Sequence, residues 1–155
     1  NTLRSAAGNS QRGRNPYMVQ TTLNWATALS DKGSALAAAD VIPVIAVPKG
    51  TMVLNAGIEV DTATDGSTFT VDLGMVDADV FVDGFDATSA AAVVAQNPAA
   101  YQPVMAVADD NIDVTIASLS GGAVSSGKFR VWAVLIDCTD MGDTAANEVD
   151  RDTLA

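Results

Sequence analysis

Histidine is absent from the 155-residue sequence, and cysteine occurs only once, as Cys138. Without histidine the chain lacks the commonest general base, proton shuttle and metal ligand, which excludes Ser/His/Asp and Cys/His catalytic arrangements. A single cysteine excludes an internal disulfide and a CxxC zinc or redox site. Because Cys138 follows an apolar run, we interpret it as a small core residue and not as a nucleophile.

Basic residues are also scarce, since 8 lysines and arginines stand against 19 acidic residues and give a net charge of -11. A strongly acidic surface repels phosphate backbones, so we expect no nucleic-acid partner. No apolar stretch reaches the roughly 18 residues that a membrane-spanning helix needs, and the N-terminus lacks the apolar segment of a signal peptide. We therefore expect a soluble protein without a membrane partner, long enough for one domain with its own core.

The few basic residues are unevenly placed along the chain. Arg4, Arg12 and Arg14 lie near the N-terminus, and the first acidic residue is Asp31. A segment of small and polar residues cannot bury enough apolar surface to fold alone. We expect an extended basic arm over residues 1–20, a β-domain over 21–138 and an acidic C-terminal tail over 139–155.

Two interpretations of the basic arm remain open at this point. It is either a disordered tail or a tether that gains order on an acidic partner surface. In the second case its arginines would pair with carboxylates of the partner. Tyr17 and Trp25 would then anchor the base of the arm.

Alternating and β-branched runs separated by turn residues predict most of the chain as strands. "YMVQTTLNWATAL" is the first, and Val41–Val47 is predicted as an edge strand or a bulged strand because it contains Pro43. Asp65-Gly66 predicts a hairpin between the runs on either side, and Gly57 marks a bulge. Further strands are expected over residues 104–108 and 112–119. The run over 128–137 is apolar on both faces and predicts a central strand that is covered on both sides.

Only one segment is a candidate helix. "FDATSAAAVVAQNPAA" could form one or two helical turns that begin at Asp86 or Thr88 and stop before Pro98, or it could be a long loop. The whole pattern predicts an all-β protein. We expect an antiparallel, jelly-roll-like sandwich or barrel of seven or eight short strands, with at most one short helix.

Aspartates crowd the segment "TVDLGMVDADVFVDGFD", which could hold a metal or simply contain turns. An EF-hand would begin as Asp77 and Asp79 do, but Phe81 occupies the position of the next ligand and no glutamate completes the loop. We interpret the aspartates as turn residues and expect no cofactor. The alternative left open is an irregular calcium site formed by Asp77, Asp79 and Asp83.

A glycosidase-like pair of carboxylates is the other acidic arrangement to consider. Glu59 and Asp72 are expected to lie near each other across the predicted hairpin, as the two carboxylates of a glycosidase would. Both, however, fall on the predicted solvent side of their strands, and a solvated strand face explains them. No catalytic constellation remains, so we expect a protein that is not an enzyme.

Four segments together resemble a pattern found in small virion proteins of tailed bacteriophages, especially marine or cyanobacterial phages. They are "VIAVPKGTMVLNAGIEV", "TFTVDLG", "VMAVADDNIDVTI" and "GKFRVWAVLIDC", and the resemblance covers about residues 41–138. It lies in the order of strands and turns and not in an invariant motif.

The resemblance implies a capsid cement, or decoration, protein. Such a protein would sit on the capsid exterior after assembly in the bacterial cytoplasm, bridge neighbouring major capsid proteins and form a homotrimer or homodimer. N-terminal arms of these proteins reach onto the lattice, which assigns capsid binding to Arg4, Arg12, Arg14 and Tyr17. The alternatives are a tail or fibre-base component and a glycan- or calcium-binding β-sandwich module.

Overall fold

The computed structural model describes residues 15–95, 103–121 and 124–138, which contain one helix and nine strands. The elements are β1 Tyr17–Asn24, α1 Trp25–Lys32, β2 Val41–Val47, β3 Thr51–Thr62, β4 Thr68–Gly74, β5 Val82–Asp86, β6 Val93–Ala95, β7 Val104–Met105, β8 Asp110–Ser120 and β9 Lys128–Asp137. In this part of the chain no helix is long and apolar enough to cross a membrane.

The strands form two antiparallel sheets. Sheet I has the order β1-β9-β3-β6, with β7 also paired to β3, and sheet II has the order β2-β8-β4-β5. If β6 and β7 are taken as one interrupted strand, this order is that of the two four-stranded sheets of a jelly roll. The predicted all-β antiparallel fold is therefore confirmed, with the strands arranged as a sandwich.

The core lies between the two sheets because each long strand alternates buried and less buried residues. In β8 the inward residues Ile112, Val114 and Ile116 are fully buried, and their neighbours are not. β9 shows the same period of two, with Val131 and Ala133 buried. This is the pattern of strands that have one face on a core.

An aromatic cluster closes one end of the core. Trp25 is fully buried, and its ring meets Phe69 of β4 and Phe129 of β9 edge-on, at centroid distances of 4.8 and 5.1 Å. These geometries suit the quadrupoles of aromatic rings. The cluster thus ties α1 to both sheets.

The position of the helix differs from the prediction. The first strand ends at Asn24, whose side chain accepts a hydrogen bond from the Ala26 N–H at 3.0 Å, and α1 follows directly. An asparagine with this geometry is an N-cap, and it turns the chain so that Trp25 enters the core. The helix ends at Lys32 and is capped by Gly33.

The segment predicted as a helix or a long loop contains no helix over its described residues. Asp86 accepts hydrogen bonds from the N–H and hydroxyl of Thr88, which makes a local turn, and Val93 and Val94 then pair with β3. β-branched residues favour this strand pairing over a helix. Residues 96–100 of the segment lie outside the described residues.

The predicted hairpin at Asp65-Gly66 is wrong, because the two flanking strands belong to different sheets. β3 pairs with β9, and β4 pairs with β8. The Asp65 carboxylate instead accepts hydrogen bonds from the N–H and hydroxyl of Ser125, at 2.9 and 2.6 Å, and from the Ser126 N–H. These hydrogen bonds link the β3–β4 connection, which crosses from one sheet to the other, to the segment that leads into β9.

Other strand predictions hold, with three exceptions. The strand expected over residues 104–108 is limited to Val104–Met105, which is β7. β2 is an edge strand of sheet II, and its register also shifts between Pro43 and Ile45, so both arrangements that accommodate a proline occur here. Gly57 does not mark a bulge, since the shifts in β3 fall between Val53 and Asn55 and after Val60. β9 is central in sheet I, but only its inward face is buried.

The boundary of the basic arm falls inside the first strand. Residues 17–20, which the sequence assigned to the arm, belong to β1 and pair with β9. Residues 1–14 of the predicted arm and the predicted tail, 139–155, lie outside the described residues.

Candidate binding surface

The aspartate cluster lies around the connection from β4 to β5. Among the described residues, no group of three or more aspartate, glutamate, cysteine or histidine side chains is placed to hold a metal ion. Asp77 instead shares a hydrogen bond with Asp79, and this bond together with the neighbouring charge raises the pKa of Asp77. The candidate ligand Asp83 lies in β5 and is exposed.

Two further aspartates of this segment, Asp72 and Asp86, accept hydrogen bonds from backbone N–H groups. Asp72 accepts a hydrogen bond from the Gly84 N–H at 2.7 Å and so joins β4 to the bend in β5. Burial raises the pKa of Asp72, and the charges of Asp83 and Asp79 act in the same direction. Asp86, which accepts from Thr88, has its pKa lowered by those hydrogen bonds. The interpretation of the aspartates as turn residues fits Asp77 and Asp79, which lie in the β4–β5 connection, whereas Asp72 lies in β4 and Asp83 and Asp86 lie in β5.

Glu59 and Asp72 do not form the carboxylate pair that a hairpin would have made. Glu59 is in β3 of sheet I, where its carboxylate bonds Arg130 of β9 at 3.0 Å, and Asp72 is in β4 of sheet II. Their strands therefore pair within different sheets, and neither residue serves the other as a second carboxylate.

A pocket of about 410 Å³ lies between α1 and β2. Its wall combines apolar residues such as Leu36 and Ile42 with an ion pair between Lys32 and Asp40. The Lys32 ammonium and the Ala37 N–H both donate to Asp40 and lower the pKa of its carboxyl. These charged groups are thus engaged with each other, as in a structural ion pair.

The two sheets differ in charge. The strands of sheet II carry five aspartates and no lysine or arginine: Asp72, Asp83, Asp86, Asp110 and Asp113. Burial, and secondarily the charge of Asp110, raises the pKa of Asp113. Sheet I carries three acidic and two basic residues in its strands, two of which neutralise each other as the Glu59–Arg130 pair. One side of the sandwich is therefore acidic and the other is nearly neutral.

The outward side of sheet I also carries apolar residues. The strand register places on this side both polar residues, such as Gln20, Asn55 and the Glu59–Arg130 pair, and a group of apolar ones. We call the apolar group the apolar face: Met18, Met52, Val93, Met105, Trp132, Val134 and Ile136. Met18 is 60% exposed, Val93 is 62% exposed and Met105 is 39% exposed. Exposed apolar side chains grouped on one side of a sheet are typical of a protein–protein contact.

Trp132 is the aromatic residue of the apolar face and lies between Arg130 and Val134 on the outward side of β9. It lies opposite Gly57 in the neighbouring strand, and a Cβ at Gly57 would meet the indole ring, with Cε2 at 2.7 Å. The glycine leaves room for the ring to lie flat against β3, an arrangement in which an aromatic side chain covers a strand glycine. The indole is therefore half-buried and packs against β3 as part of the apolar face.

Of the four residues assigned to capsid binding, only Tyr17 is described. It begins β1 opposite Leu135 and is 44% exposed. Arg4, Arg12 and Arg14 lie outside the described residues. The apolar face was not predicted from the sequence, although the unbroken apolar run in β9 indicated a strand that is apolar on both sides.

The comparisons with known proteins return structures but no sequence family. No protein-family model matches the chain, and no curated protein sequence matches it. A chain in the capsid of Ralstonia phage GP4 is 17% identical, with a TM-score of 0.59, over 81% of this chain and 86% of that one. A chain in the capsid of cyanophage Pam1 is 17% identical, with a TM-score of 0.60, over 86% and 93%.

A chain from the acid-stable capsid of Helicobacter pylori bacteriophage KHP30 has the same fold. It is 13% identical, with a TM-score of 0.55, over 82% of this chain and 92% of that one. At these identities the likeness concerns the fold. The jelly roll described above is thus a fold that also occurs in chains of three phage capsids.

Proposed function

We propose that the protein is a non-enzymatic structural component of a bacteriophage virion, and specifically a cement, or decoration, protein of the capsid. It binds the outer surface of the shell and bridges neighbouring major capsid proteins. The observation that carries the proposal is the shared fold with chains of three phage capsids over 81–86% of this chain. These capsids come from phages of Ralstonia and Helicobacter pylori as well as from a cyanophage, so the shared fold supports a phage virion component without pointing to one host.

The charge difference between the sheets supports one orientation on the shell. An apolar and nearly neutral surface loses little hydration when it is covered, whereas the aspartates of sheet II would have to be desolvated without basic partners. The apolar face of sheet I therefore lies against the shell, and sheet II faces the solvent. Many such contacts, repeated by the symmetry of the shell, add up to strong binding.

The basic arm supplies a second contact. Arg4, Arg12 and Arg14 reach carboxylates on the neighbouring capsid protein, since guanidinium groups pair well with carboxylates. Tyr17, at the start of β1, is exposed where the arm leaves the domain. In this proposal the folded domain covers one capsid protein and the arm extends to the next.

Sedimentation of the purified protein with capsids that lack it tests this function. Wild type is expected to pellet with capsids to a saturable level, and the triple variant Arg4→Gln/Arg12→Gln/Arg14→Gln to bind at least about tenfold more weakly, because several charge-assisted contacts are lost. Weakening should be stronger at low salt, where the wild-type contacts are less screened.

A deletion of residues 1–14 is the appropriate truncation for the same assay. A deletion of residues 1–20 would also remove the part of β1 that pairs with Trp132 to Leu135 and would confuse binding with folding. As a control, Lys49→Gln removes one positive charge from an exposed turn far from the N-terminus in sequence and should bind as wild type does. Wild-type protein that stays in the supernatant would refute the proposed function.

A further inference from the structure

β1 is a long edge strand of sheet I. In the described part of the chain it pairs only with β9, over all eight residues and without a register shift. Its sequence, "YMVQTTLN", contains no charged residue and no proline. Its inward residues Val19 and Thr21 are only half-buried, whereas the opposite residues of β9 are buried. An edge of this kind is a template for an added strand.

The other sheet edges carry features that discourage strand addition. β2 contains Pro43 and a register shift, β5 is five residues long with two aspartates, and β6 and β7 have three and two residues. Proline, bulges, charge and shortness are the devices by which proteins protect their edges. β1 uses none of them, so it is the edge that fits a partner strand.

Charge favours a second copy of this chain as the partner. With a net charge of -11, most surfaces of the protein repel a copy of themselves, and sheet II would bring aspartate against aspartate. The sequence has no acidic residue before Asp31, so β1 and the beginning of α1 form an uncharged region. Two β1 strands can approach each other without facing like charges.

We propose that β1 is a self-association edge, at which the β1 strands of two copies pair antiparallel around a two-fold axis. An axis perpendicular to the sheet keeps outward residues on the outward side, so Gln20 lies opposite either Gln20 or Thr22 of the second copy. The five strands of each sheet I then join into one sheet. The two apolar faces become continuous, and one dimer presents two binding surfaces.

Sedimentation equilibrium of the full chain tests this proposal without capsids and thus independently of the proposed function. Wild type is expected to show a dimer of the 15.8 kDa chain. The double variant Gln20→Glu/Thr22→Glu places carboxylates directly opposite each other in either register and should raise the dimer dissociation constant at least about tenfold. Both side chains are exposed in β1, so the domain should remain folded.

The matched control is Thr68→Glu/Ser89→Glu, which adds the same charge at exposed positions in β4 and after β5. It should remain dimeric, and circular dichroism should show all three proteins folded. A monomeric wild type, a trimer, or equal weakening by both double variants would overturn the proposal. If the wild type stayed monomeric and its β1 paired only with a strand of a capsid protein, a second copy of this chain would be excluded as the partner of β1.

Discussion

Replacing Trp25 by alanine is expected to lower the free energy of unfolding by about 3–5 kcal/mol, the range for truncation of a buried aromatic side chain. The indole is fully buried and holds edge-on contacts with Phe69 and Phe129, which belong to opposite sheets. Its removal therefore leaves a cavity at the point where α1 and both sheets meet. For a chain of this length the melting temperature should fall by roughly 10 °C.

The second tryptophan provides a matched control for this experiment. Trp132 lies half-buried on the outward side of sheet I, so Trp132→Ala removes the same atoms from a less enclosed site. Chemical denaturation of both variants should show the larger loss for Trp25→Ala. Equal losses would contradict the central position of Trp25. Trp25→Phe should cost less than Trp25→Ala, because phenylalanine keeps an aromatic ring in the cavity; the Nε1 donor, which both substitutions remove, has no hydrogen-bond partner among the described residues.

Replacing Gly57 by alanine is expected to destabilise the protein by about 1–3 kcal/mol, the usual cost of overpacking. Alanine normally stabilises a strand interior relative to glycine, so the expected sign is reversed here. The reason is the close approach of two neighbours, since the added Cβ would lie 2.7 Å from both Cε2 of Trp132 and the carbonyl oxygen of Val94. The ring would have to leave its position on β3.

A double-mutant cycle isolates the contribution of the ring. In the Trp132→Ala background, the Gly57→Ala change should cost clearly less, because only the contact with the Val94 carbonyl remains. Tryptophan fluorescence of Gly57→Ala should shift to the red as the indole becomes more exposed. A stabilising Gly57→Ala, or the same cost in both backgrounds, would contradict the packing of Trp132 on this glycine.

Residue patterning predicted the strands well where alternation is strict. The alternating run over residues 112–119 is the middle of β8, and the run in which Phe69 alternates with polar residues is β4. Pro43 correctly indicated an edge strand, since a proline cannot donate to a second neighbour. These features depend on local chemistry, which a single sequence displays directly.

The errors concern features that depend on distant parts of the chain. Asp65-Gly66 has the chemistry of a hairpin turn, but its carboxylate is satisfied by Ser125 and Ser126, about sixty residues away in the sequence. The helix was misplaced because Trp25 and the threonines before it suit a strand. The signal that was available is Asn24 as an N-cap with Gly33 after the last helical residue.

The candidate surface was only partly visible in the sequence. The arginines of the basic arm stand out by their charge, whereas the apolar face combines residues from β1, β3, β6, β7 and β9 that only the sheet order brings together. The run in β9 was interpreted as buried on both sides, because an apolar strand is usually covered. A strand that is apolar on both sides but has one side open is better interpreted as an interface.

The most direct test of the central claim is an electron cryomicroscopy reconstruction of capsids with and without the bound protein. We predict that the added density lies on the outside of the shell and fits the jelly roll with Met105 and Trp132 of the apolar face toward the capsid proteins. The aspartates of sheet II should face the solvent. Density inside the shell, no added density, or a domain bound through sheet II would contradict this claim.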